Sequence, residues 1–95
     1  MINIMGQARY EDFDHFWSIF KDRGAASRKR HGSLGARIFR DVDDPNAVTI
    51  LFEWESRERF EEFRADPEVA ATIQSTRPLS PPTFTFLEPV GETEA

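Results

Sequence analysis

Residues 43–56 read DDPNAVTILFEWES. The opening Asp43-Asp44-Pro45-Asn46 is turn chemistry, because Asp and Asn side chains bond to nearby backbone N–H groups and Pro presets φ. The run from Val48 to Glu55 then alternates with a strand's period of two. One face carries Val48, Ile50, Phe52 and Trp54; the other carries Thr49, Leu51, Glu53 and Glu55. The first face is core. The second sets a leucine beside acids and calls for a cover of its own.

Working outward, Leu34–Asp41 reads as the preceding strand, with Ala36 and Ile38 on one face and Arg37 and Phe39 on the other. A turn centred near Asp44 joins the two strands as a hairpin, with Ile38 opposite Ile50 and Arg37 diagonal to Glu53. Buried charges need partners, so Arg37 and Glu53 are expected to meet across the strands or across a dimer.

Residues 2–8 alternate as a first strand, Ile2 and Ile4 opposing Asn3, Met5 and Gln7. Asp12 caps a helix on which Phe13, Phe16, Trp17 and Phe20 form one aromatic stripe. His15 falls opposite that stripe and is expected to point at water. The helix runs past Gly24 to a stop at Gly32, its end marked by Arg28-Lys29-Arg30-His31, where cations suit the helix dipole. After the hairpin, Ser56 is the N-cap of a second helix with Phe60 and Phe63 facing in, although Arg59 stands where a capping box has Glu. Asp66-Pro67 restarts that helix with Val69 and Ile73 inward. A proline-rich loop over 77–82 leads to a last strand, Thr83–Leu87.

The order β-α-β-β-α-β predicts a ferredoxin-like α+β fold over residues 1–88, a four-stranded antiparallel sheet with both helices on one face. Residues 89–95 read as a loose tail. The sheet's other face would hold Met5, Phe39, Leu51 and, depending on register, Phe84 and Phe86 or Leu87. That is too apolar to leave in water, and the simplest cover is a second copy of the chain.

Composition narrows the function. The 95 residues carry a net charge of -5, which argues against nonspecific nucleic-acid binding. There is no Cys and there are only two His, so no metal site is expected. The N-terminus does not read as a signal peptide and no stretch approaches the roughly 20 apolar residues of a membrane span, so a cytoplasmic protein is expected.

The stretch from Gly32 to Val69 resembles, as a whole, the antibiotic-biosynthesis-monooxygenase-like family of the dimeric α/β-barrel superfamily. The residues that carry the likeness are Gly32, Phe39-Arg40, Asp43-Asp44-Pro45-Asn46, Glu53-Trp54, Phe60 to Phe63 and Asp66-Pro67. Tyr10 to Trp17 and Pro82 to Leu87 extend it to about residues 2–88. The resemblance implies a homodimer whose two sheets form a barrel, with a pocket in each subunit between sheet and helices. It also implies, for some relatives, oxidation of polyphenols by O2 with neither metal nor flavin. Other relatives degrade haem with an Asn, a Trp and a helix His in one pocket; Asn3, Trp17 and His15 are the counterparts, but His15 is expected outside such a pocket.

Two readings follow. In the first, the protein is a monooxygenase-like enzyme without cofactor, acting on an aromatic or polyketide-like substrate. Trp17, Phe20, Phe52, Trp54, Phe60 and Phe63 line its pocket, and Arg37 and Glu53 orient a phenol or take its proton. In the second, the same aromatics fill the core, Arg37 and Glu53 are a structural pair at a dimer face with Met5, Phe39 and Leu51, and the protein is a noncatalytic homodimeric domain that binds a small ligand or serves as an assembly unit. His31 as a general base competes with a surface role, and Arg28-Lys29-Arg30 as a lure for anionic substrates competes with a solvated helix end.

Overall fold

A computed structural model describes residues 1–95. The elements are β1 (Ile2–Arg9), α1 (Phe13–Ile19), a π turn (Phe20–Gly24), α2 (Ala25–Arg30), β2 (Ser33–Arg40), β3 (Ala47–Trp54), α3 (Arg57–Ala65), α4 (Pro67–Ser75) and β4 (Thr83–Leu87). The strands form one four-stranded sheet in the order β2-β3-β1-β4, with every neighbouring pair antiparallel. This is the expected ferredoxin-like α+β fold. Residues 88–95 form neither helix nor strand and are exposed.

Local chemistry sets these boundaries. The Asp12 carboxylate accepts from the Asp14 N–H, Ser56 from Arg59 and Asp66 from Glu68, so α1, α3 and α4 each start on a side-chain cap. Such a cap is worth about 1 kcal/mol. Gly32 ends α2 with φ +96°, a conformation that a Cβ disfavours. The turn after β2 does more than reverse the chain. Asp41 accepts from the N–H groups of Asp43 and Asp44, while the Asn46 side chain accepts from the Phe13 N–H and so helps cap α1.

The hairpin register is the expected one, with Ile38 opposite Ile50. Arg37 lies opposite Leu51 and hence diagonal to Glu53, but the two form no ion pair within the chain; the Arg37 guanidinium rests 5.2 Å from the Phe39 ring centroid instead.

Register also decides the last strand. Phe84 sits opposite Gly6 and Phe86 opposite Ile4, so both phenylalanines face the helices, and Leu87 takes the outer face with Thr83 and Thr85. Arg57 and Arg64 of α3 lie over the Phe86 and Phe84 rings at 4.1 and 4.7 Å. The core lies between sheet and helices: Ile4, Phe16, Trp54, Phe60 and Val69 are sealed within it. The outer face holds Met5 and Leu51 half-buried and Phe39 43% exposed.

Both histidines depart from expectation. His15 does not point at water. It is half-buried, and its Nε2 donates to the Ser75 carbonyl at 2.7 Å, because the C-terminal end of α4 packs across that side of α1. His31 does not sit free on a basic loop: its Nε2 donates to Asp66 at 2.9 Å and its ring edges against Phe63.

Candidate functional site

Between the sheet and the α1–α2 helix lies a cavity of about 70 Å³. Gly6 forms part of its floor because it lacks a side chain: a Cβ there would come within 3.1 Å of Phe52 and 3.2 Å of Phe84. Phe16, Phe20, Ile50, Phe52 and Phe84 supply apolar wall, α4 contributes Val69 and Thr72, and Thr76 follows at its C-cap. The volume suits a single ring. A fused polycycle requires the half-buried Phe20 and Arg28 to swing aside, since sites for drug-sized ligands span roughly 300–1,000 Å³.

Three polar groups in this wall have no partner in the chain. The Arg28 guanidinium forms no ion pair or hydrogen bond and stacks on the Phe20 ring at 3.7 Å from its centroid. Burial pulls its pKa down to about 10, which leaves it charged at neutral pH. Tyr10 and Ser27 are 5% and 4% exposed, and neither hydroxyl takes part in a side-chain hydrogen bond. No side-chain polar atom of the protein is both sealed and unpaired, so both oxygens border open space. Burial pushes Tyr10 up to about 12, so it stays protonated and can donate. No carboxylate and no imidazole lines the cavity.

The π turn explains how Arg28 comes to be there. A π turn accommodates about one extra residue, so the helix leaves Gly24 off the phase that a 3.6-residue count gives. A Cβ at Gly24 would fit tightly, 3.0 Å from an Arg28 guanidinium nitrogen and 3.2 Å from the Ile19 carbonyl oxygen.

The residues singled out from sequence fall into four places. Phe20, Phe52 and Phe63 line the cavity. Trp54 and Phe60 are fully buried behind it, stacked edge to face at 5.0 Å. Trp17 lies in a separate outer groove between the helix and β2, which it shares with Lys21, Lys29 and Leu34. Arg37 and Glu53 share a shallow groove on the outer sheet face with Asn3 and Leu51, away from the cavity. Asn3, Trp17 and His15 therefore do not converge. Tyr10 and Ser27 were not distinguished by sequence, and the one available signal for Arg28 was its place in a basic run beside an aromatic stripe. No group of three His, Asp or Glu side chains is placed to hold a metal ion, and no helix is long and apolar enough to cross a membrane.

The sequence model of the family described as antibiotic biosynthesis monooxygenase matches residues 1–75. No curated protein matches the chain by sequence. Among solved structures, SnoaB from Streptomyces nogalater, described as a cofactor-independent oxygenase, superposes with a TM-score of 0.81 at 19% identity, covering 99% of this chain and 97% of its own. A structure described as antibiotic biosynthesis monooxygenase gives 0.76 at 16%, covering 96% and 100%. Rv0793 from Mycobacterium tuberculosis gives 0.68 at 14%, covering 98% of each. At these identities the structural likeness speaks for the fold.

Proposed function

The chain belongs to the antibiotic biosynthesis monooxygenase family, and from that premise we propose that it is a small oxygenase without cofactor that oxidises an aromatic or polyketide-like phenol with O2. The observation that carries this reading is the apolar cavity whose only unpaired polar groups are Arg28, Tyr10 and Ser27. A phenol held there as its anion is electron-rich, and the substrate itself supplies the electrons. In an anthrone-type member of the class, seated once Phe20 and Arg28 swing aside, the methylene between the rings becomes a carbonyl, one atom of O2 entering the product and the other leaving as water. The chain's share is to place the ring, hold the oxyanion at Arg28 and exclude bulk water. The description of SnoaB as a cofactor-independent oxygenase supports the assignment.

The lack of a carboxylate or imidazole in the cavity favours a second reading, a binding domain that holds such a ligand without transforming it. Oxygen-electrode measurements on phenols from monocyclic hydroquinones to tricyclic anthrones separate the two. Uptake above the buffer rate that is lost in Tyr10→Phe or Arg28→Met supports the oxygenase. Binding with no uptake on any member of the panel sinks it.

The outer sheet face belongs to the same proposal. Met5, Leu51, Phe39 and Leu87 give it an apolar centre, and a second copy packed face to face covers it. In that arrangement Arg37 and Glu53 pair at the contact between copies and do not act in the chemistry. The small aromatic ligand stays within one subunit.

A further inference from the structure

We propose that the cavity selects an aromatic ligand bearing one negative charge, a carboxylate or an ionised phenol, and that Arg28 is the residue that reads the charge. The inference rests on the cavity being the ligand site, and it specifies the ligand class.

Arg28 is the one charged side chain in the lining, and it has no counter-ion. A half-buried guanidinium is costly to keep out of water without an opposite charge, and an anion delivered by a ligand supplies one. Its resting contact, the Phe20 ring face, is a weak substitute for a carboxylate and gives way to one. The hydroxyls of Tyr10 and Ser27 add two neutral donors within the same wall. A neutral aromatic of equal shape fills the apolar space but leaves the guanidinium as it was.

The placement of Arg28 also gives the anion a way in. Phe20 and Arg28 line both the inner cavity and the outer groove between the helix and β2. Lys21 and Lys29 stand in that groove beside Trp17. An anionic ring approaching there meets two ammonium groups, then the stacked pair that divides groove from cavity. In a chain whose net charge is -5, such a local run of cations is where an anion is attracted.

The test is calorimetric titration of the full chain, without substrate turnover, with para-hydroxybenzoate and its neutral isostere para-hydroxybenzamide at neutral pH. The expected result is binding of the carboxylate tighter by roughly tenfold or more. Para-nitrophenol, titrated in its neutral form at mildly acid pH and its ionised form at mildly alkaline pH, asks the same of a phenolate. Selection for the carboxylate alone, for the phenolate alone, or for both anions supports the inference and identifies the source of the charge. Arg28→Met is expected to bring the acid and amide within about twofold. Arg28→Gln decides the assignment should Arg28→Met fail to fold. Equal affinities within both probe pairs in the wild type, binding of no probe, or a preference that survives the loss of Arg28 overturns it. Anion preference with no oxygen uptake on any phenol would leave this inference standing and remove the oxygenase reading; uptake with no preference would do the reverse.

Discussion

The indole N–H of Trp54 donates to the carbonyl oxygen of His31 at 2.8 Å. His31 in turn holds the Asp66 carboxylate, the N-cap of α4, so one bond chain ties the end of β3, the exit of α2 and the start of α4 together around Phe63. In Trp54→Phe the aromatic packing is largely kept and the His31 carbonyl loses its partner. The expected cost is about 1–3 kcal/mol for that group alone. Urea unfolding is expected to show a lower midpoint at unchanged slope. An unshifted midpoint would mean that water replaces the indole.

Gly6→Ala tests the cavity floor. Two rings stand within 3.2 Å of the new methyl, and neither is a flexible chain end. Overpacking of this kind costs about 1–3 kcal/mol. The same methyl intrudes on the cavity, so benzoate-type probes are expected to bind more weakly. A stable variant with unaltered binding would remove Gly6 from the site.

Acid sensitivity follows from two carboxylates that titrate below their ordinary value of 3.8. For Asp44 the leading cause is its bond with Arg9 at 2.8 Å; for Asp66 it is the Glu68 N–H, followed by His31. Because the unfolded chain has the ordinary value, each contributes stability that is fully present above about pH 4 and lost as pH falls through the lower folded values. Melting temperature against pH is expected to drop on the acid side, less steeply in Asp44→Asn and Asp66→Asn. Acid limbs that superimpose on the wild type would contradict this.

Leu51 is central on the outer face, opposite both Met5 and Arg37. Leu51→Lys puts a charge where two copies are proposed to meet. The expected result in light scattering is a dimer for the wild type and a monomer for the variant, with far-UV circular dichroism unchanged. Arg37→Ala and Glu53→Gln are expected to weaken the dimer while leaving oxygen uptake per chain within about twofold; a larger fall would return both to the chemistry.

The hairpin was legible because its turn and alternation fix each other: Pro45 and its neighbours place the reversal, and a slip of one residue would turn Ile50 and Phe52 to the wrong face. Ser56 and Asp66 were legible for the same kind of reason, since a cap acts over two or three residues. Arg28 was legible only as a member of a basic run. Whether it, Lys29 or Arg30 turns inward depends on helical phase, and the π turn shifts that phase without a residue that announces it. His15 was read from its own helix, but α4, distant in sequence, decides its surroundings. Tyr10 lies just past β1, where periodicity ends and tertiary packing against Phe16 takes over.

The two rims of the sheet differ from its centre. β4 has five residues and follows Pro81-Pro82, while the other rim, β2, is broken near its start by a bulge between Ser33 and Gly35. The β4 rim is short, and the bulge confines the regular part of the β2 rim to Gly35–Arg40, so an incoming strand finds only a short row of free amides at either. Growth by adding strands, the route by which sheets run on into fibrils, is thus hindered at both borders, and a concentrated solution of this chain is expected to resist gelling even when its outer face is altered.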